Sequence, residues 1–143
     1  MAAHAAFTAS AATTAGYASV QGGWYEMAAE LRAEETDLGE GRRQSGVTLV
    51  TVYELPPARI DEFLPYWRER AESMSKAPGF RDDRLHRAVD AGTRFQLVGI
   101  SHWDSPEAWR AAANDPRFQP SRLTALPDFA VADPALFRVA AEF

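Results

Sequence analysis

Hydrophobic positions change their spacing along the chain, and each change marks an element. "VTLVTVYEL" (47–55) is dense in β-branched and aromatic residues, which suit a pleated surface, and it predicts a strand. In "PPARIDEFLPYWRERAESMSKAPG", Ile60, Phe63, Leu64, Trp67, Ala71 and Met74 recur at helical intervals and form one stripe. Pro57 suits the first turn of that helix, "APG" ends it, and Pro65 removes a backbone hydrogen bond and should bend it. "FRDDRLHRAVD" (80–90) reads as a second strand, polar enough to have a wet side, with "RDDR" at 81–84 an exposed strand end. "AGTRF" supplies a turn, and "RFQLVGISHW" (94–103) a third strand that pairs with the second as a hairpin.

Asp104 or Ser105 then caps a helix, "PEAWRAAAN", with Pro106 at its first position and Glu107 near the positive end of its dipole. "DPRFQPSRLTAL" predicts a further short helical piece, and "ALFRVAAEF" (135–143) a closing strand. The order strand, helix, strand, strand, helix, strand is that of an α+β, ferredoxin-like split βαβ fold, an antiparallel sheet with both helices on one face. The other face of such a sheet is left uncovered, and pairing with a second copy is the expected remedy.

The pattern weakens before residue 46. Residues 1–45 form an arm rich in Ala, Ser and Thr, expected to be partly disordered. Within it Trp24, Met27, Ala28 and Leu31 sit at helical spacing and predict a short amphipathic helix over 24–38. The domain proper is expected at 46–143.

Composition narrows the classes. The chain has 143 residues, 46% of them hydrophobic, so one domain can bury a core without staples. It has no cysteine, which excludes disulfides and thiolate metal sites. A net charge of −5 argues against nucleic acid as a partner. No run reaches the length of a membrane span, and the N-terminus lacks the cationic start of a signal peptide, so the expectation is a cytoplasmic protein. Three scattered histidines without HExxH spacing leave no metal site, and no nucleophile elbow or phosphate-binding glycine loop occurs.

Several stretches in order resemble the antibiotic biosynthesis monooxygenase family: the first strand, "PGF" (78–80), "RLHRAVD" (84–90), "LVGISHWDSPEAWRAA" (97–112) and "NDPRFQPSR" (114–122). The resemblance implies a dimeric α/β barrel, a homodimer whose two sheets face each other, with a pocket between sheet and helices in each subunit. It implies oxidation of an aromatic, polyketide-derived substrate by dioxygen with no cofactor. Relatives in the same superfamily degrade haem with a tryptophan and a histidine near positions that here are Ala112 and Arg122.

Strand alternation puts Phe95, Leu97, Gly99, Ser101 and Trp103 on one face, which the resemblance turns toward the pocket, and His102 on the other, toward the dimer interior. Trp103 and Trp109 are candidates to stack a flat ligand, with the Trp103 indole N–H as a donor; each also reads as core. Tyr53 and Trp67 are candidate walls. His86 is a candidate base, by its place in the second strand, and Arg122 matches a basic position used near the pocket in some relatives. Gly99 and Thr51 stand where quinone-forming relatives carry asparagines, so both amides are missing. Three readings follow: a cofactor-independent oxygenase, a polyketide cyclase or isomerase using the same pocket, or a non-catalytic ligand-binding dimer.

Overall fold

The computed structural model describes residues 22–32, 46–118 and 126–142. Within these residues five strands form one sheet: β1 (Tyr25–Arg32), β2 (Val47–Glu54), β3 (Phe80–Ala88), β4 (Leu97–Trp103) and β5 (Val131–Phe137). Two α-helices, α1 (Ile60–Met74) and α2 (Pro106–Asn114), follow β2 and β4. The sheet order is β1-β3-β4-β2-β5, and every neighbouring pair is antiparallel. Strands β2 to β5 with the two helices are the expected α+β, ferredoxin-like split βαβ unit. Among the described residues no helix is long and apolar enough to cross a membrane.

Within the helix expected over 24–38, Tyr25–Arg32 form a strand instead, and residues 33–38 lie outside the described residues. "YEMAAELR" carries strong helix formers, yet it pairs with β3 along its whole length and extends the sheet beyond the core unit. Its apolar residues fit both periods, since Tyr25, Met27, Ala29 and Leu31 also alternate. The open edge of β3 decides between them, because pairing satisfies the backbone and buries Ala29 and Leu31 against the core. A register shift between Met27 and Ala29 turns Met27 to the outer face and Ala29 to the inner one. The expected disorder of the arm concerns residues 1–21 and 33–45, which lie outside the described residues.

The closing strand also differs from expectation, running from Val131 rather than Ala135. Pro134 lies within it opposite Thr51, and β5 is an edge strand, where a missing N–H costs no ladder bond on the solvent side. Helix α1 continues through Pro65, whose ring is exposed. Of the two candidate caps for α2, Ser105 is the one used: its hydroxyl accepts the Ala108 N–H at 3.1 Å. After α2 only a 3-10 turn, Pro116–Phe118, is described of the expected helical piece.

Two details fix the sheet against the helices. Gln96 is buried in the β3–β4 turn, where its amide donates to the carbonyls of Asp90 and Ala91, each at 3.2 Å, and of Thr93. Gly79 has φ +90°, and a Cβ there would stand 2.6 Å from the Ala108 Cβ, so only glycine lets α2 approach the start of β3. The core divides into two clusters. One gathers Tyr53, Leu55, Ile60, Phe63, Trp67 and Leu85 among others; the second gathers Val47, Met74, Phe80, Trp103 and Ala112.

Candidate functional site

Between those two clusters the packing opens into a cavity of about 290 Å3. This lies at the small end of the range for small-molecule sites, about 300–1,000 Å3. Helix α1 supplies one wall with Phe63, Tyr66, Trp67, Arg70, Ala71 and Met74, spaced as one helical face. The sheet supplies the floor: Leu49, Thr51 and Tyr53 from β2, Asp83 from β3, and Gly99, Ser101 and Trp103 from β4. Trp109 of α2 and Ala132 and Pro134 of β5 complete the lining. Arg70 and Leu126 line the cavity yet are exposed, so they stand at its mouth.

Six of the eight side chains singled out from the sequence meet here: Trp103, Trp109, Tyr53, Trp67, Gly99 and Thr51. Arg122 lies outside the described residues. His86 is not at the cavity. It pairs with Val98 on the opposite face of the sheet, its Nδ1 3.3 Å from the Val98 carbonyl. His102 shares that outer face, with Nδ1 2.6 Å from Asp82 Oδ1.

The outward place of His86 follows from a second register shift. Phe80 pairs with Trp103 and Asp82 with His102, so Arg81 is an extra residue between them. Simple alternation from the inward Phe80 would carry Asp82 and His86 inward as well. The bulge reverses this: Asp83 opposes Ser101, Leu85 opposes Gly99, and both face the helices. "RDDR" is therefore no exposed strand end. Arg81 reaches sideways to Asp104 at 2.8 Å in a largely buried ion pair, and Asp83 faces the cavity.

Asp83 is the carboxylate among the described lining residues. Burial pushes it up to about 7, and the neighbouring Asp82 adds to the rise. Arg70, the Arg84 backbone N–H and His102 pull the other way. Burial likewise holds the Tyr53 hydroxyl well above its ordinary range, with the Asp83 charge adding to the effect, so it stays a neutral phenol. Its ring lies 5.2 Å from that of Phe63.

Trp103 is 1% exposed, and Phe80 meets it edge-on at 5.4 Å between ring centroids. Its indole N–H donates to the Ser101 hydroxyl at 3.0 Å. That bond leaves the serine O–H as the donor to be turned toward a ligand. A Cβ at Gly99 would lie 3.5 Å from the Tyr53 ring and 3.8 Å from its hydroxyl oxygen, ordinary contact distances that leave room for alanine. The phenol of Tyr53 occupies the region that a longer side chain at Gly99 would fill.

Among the described residues no group of three or more His, Asp or Glu is placed to hold a metal ion. Neither described histidine faces the cavity, so an iron porphyrin seated there would meet no imidazole from these residues.

Residues 46–120 match the family model for antibiotic biosynthesis monooxygenases. A mycobilin-producing heme oxygenase of Mycobacterium tuberculosis (strain CDC 1551 / Oshkosh) is 33% identical over 70 residues, 49% of this chain and 65% of that protein. The chain thus spans just under two thirds of that relative's length. Among solved structures, a candidate monooxygenase from Shewanella loihica PV-4 superposes with a TM-score of 0.60 at 26% identity, covering 68% of this chain and 97% of the other. SnoaB, a cofactor-independent oxygenase from Streptomyces nogalater, solved as a point mutant, superposes with a TM-score of 0.55 at 27% identity, covering 68% and 96%.

Proposed function

The chain belongs to the antibiotic biosynthesis monooxygenase family, and from that premise we propose that its cavity oxidises an aromatic, polyketide-derived substrate with dioxygen and without a bound cofactor. The observation that carries this reading is the lining. Trp67, Trp103, Trp109, Tyr53 and Tyr66 supply ring faces and edges around a slot whose floor bears the hydroxyls of Thr51 and Ser101. Such a slot suits a flat fused-ring ketone, stacked on indole and held at its oxygens by hydroxyl donors.

The chemistry asks little more of the protein. A ring methylene flanked by aryl groups and conjugated to a carbonyl loses a proton to give a phenolate-like carbanion. That carbanion is electron-rich enough to react with dioxygen; one oxygen atom stays as the new carbonyl and the other leaves as water with the two methylene hydrogens. The protein binds the ring, takes the first proton and stabilises the charge that develops. SnoaB, itself a cofactor-independent oxygenase, supports the oxygenase reading by likeness of fold and sequence. Haem is the weaker substrate for this chain, since the described lining brings no imidazole to an iron.

Gly99 and Thr51 favour one alternative. With no amide at either position, the same cavity suits a cyclase or isomerase that needs only enolisation. Oxygen uptake with 1,8-dihydroxyanthrone separates the two. The oxygenase consumes dioxygen in proportion to quinone formed. Product formed equally fast under strict anaerobiosis defeats the oxygenase reading.

We also infer a homodimer formed through the outer face of the sheet. Val50, Val52, Val98 and Ile100 lie on that face by register, only half-buried, and both helices are on the other side. Light scattering tests it: a chain that stays monomeric at micromolar concentration contradicts the pairing.

A further inference from the structure

We propose that Asp83 is the proton acceptor of this cavity, taking the acidic ring C–H proton of an aromatic ketone seated between the α1 wall and Trp103. The assignment rests on the reading of the substrate as a flat aromatic ketone. It does not rest on dioxygen being the second reactant.

The geometry begins with the pairing of Asp83 opposite Ser101 on the inner face of the sheet, which the bulge at Arg81 reconciles with the inward Phe80. Asp83 thereby becomes a carboxylate on the floor of an otherwise apolar and hydroxyl-bearing slot. A carboxylate in such a place is costly unless it is used or paired. The groups facing it from each packed element are few. Its own strand brings Asp82 and Arg84 on either side, which point to the outer face. Strand β4 brings Ser101 directly opposite, with His102 next along. Strand β1 sets the apolar Leu31 against it, with Arg32 beside that. Helix α1 brings Arg70 over the cavity mouth, and β2 brings the Tyr53 hydroxyl. Arg70 is the cation on the cavity side of Asp83 among the described residues, and it is exposed.

This arrangement divides the labour of enolisation. The C–H bond breaks, its proton passes to a carboxylate oxygen of Asp83, and the electron pair moves through the ring onto the carbonyl oxygen. The oxygen that gains charge is met by neutral donors, the Ser101 and Tyr53 hydroxyls, with the Arg70 guanidinium at the mouth. With the proton-accepting carboxyl raised to about 7, it is still half ionised at neutral pH and is a stronger base than an ordinary aspartate. The proton then leaves toward solvent by the open mouth, or returns to the same carbon.

Return of the proton is the test, because it needs no oxygen. Under anaerobic conditions in heavy water, the protein should exchange the methylene hydrogens of 1,8-dihydroxyanthrone for deuterium faster than buffer does, followed by NMR. The protein-dependent rate should rise with pH to an inflection near 7. Asp83→Asn should lower it about 100-fold or more, the scale of a lost general base, while tryptophan quenching by the same compound shows the slot still binds. Exchange by Asp83→Asn within about threefold of the parent overturns the proposal, and so does a parent rate without that inflection, which needs no variant to fold. Oxygen uptake is measured separately. Asp83-dependent exchange without uptake keeps this proposal and removes the oxygenase reading; uptake without Asp83-dependent exchange does the reverse.

Discussion

Asp83→Asn makes a prediction about folding that is independent of any substrate. In the unfolded chain an aspartate ionises near pH 4; in the folded chain burial holds Asp83 near 7. The folded state therefore keeps a proton that the unfolded state has lost throughout the window from about pH 4 to about pH 7. Stability falls as pH rises through that window, then levels off once both states are ionised. Three pH units at about 1.4 kcal/mol each set an upper limit of about 4 kcal/mol. The exposed Arg70 and the open mouth screen part of it, so about 2 kcal/mol is the expected cost. Asparagine carries no charge in either state and escapes this cost. Urea unfolding of both proteins, followed by tryptophan fluorescence from about pH 4.5 to about pH 8.5, gives the difference curve. Asp83→Asn should gain about 2 kcal/mol on the parent between the ends of that range, with most of the gain below about pH 7.5. A difference that stays flat within about 0.5 kcal/mol, the scale of an ordinary surface substitution, would show that Asp83 ionises like an exposed carboxylate and would refute the argument from burial.

Other substitutions probe the surroundings. Arg70→Gln removes a cation that favours the ionised Asp83, so the Asp83 titration, read by carbon-13 NMR of its carboxyl, should move to higher pH; no movement would mean that the guanidinium and carboxylate do not sense each other. Gly79→Ala meets both a φ of +90° and an Ala108 Cβ at 2.6 Å, and should cost about 2–4 kcal/mol in urea unfolding. Trp103→Phe keeps most of the packing and removes the donor to Ser101 at 3.0 Å. It should cost about 1–2 kcal/mol, and a double-mutant cycle with Ser101→Ala should recover about 1 kcal/mol of coupling; zero coupling would mean the bond contributes nothing.

The elements that were legible in the sequence were those with a single periodicity. The α1 stripe from Ile60 to Met74, the β-branched run of β2 and a cap at Asp104 or Ser105 before Pro106 each admit one conformation, and each is found, the cap at Ser105. Residues 24–32 were misleading because their apolar positions satisfy a 3.6 and a 2.0 period at once, and local propensity favours the wrong one. What settles them is the free edge of β3, a partner fifty and more residues away in sequence. The walls of the cavity were legible for the same reason as the core, since large aromatics on a predicted inner face have few places to go. Its carboxylate was not. Alternation through "FRDDRLHRA" has no mark at Arg81 to announce a bulge, and without one the aspartate that faces inward and the histidine that faces outward exchange places. Two adjacent acidic residues in one strand were the available signal: one of the pair must point at the core side whatever the register.

The bulge at Arg81 also bears on how the strand tolerates a change of length. The register of β3 is held from its far end, where the turn stapled by Gln96 joins it to β4. Length changes at the near end are therefore absorbed locally. Losing or gaining one residue around Arg81 shortens or lengthens the lead-in from Gly79 but does not turn Asp83, Leu85 and Arg87 over. The set of side chains that β3 shows to the cavity is thus insulated from a one-residue change of length at that end, while single substitutions within the set change what the cavity presents. Asp83, opposite Ser101, and Leu85, opposite Gly99, thus keep their places on the floor of the cavity through such a change.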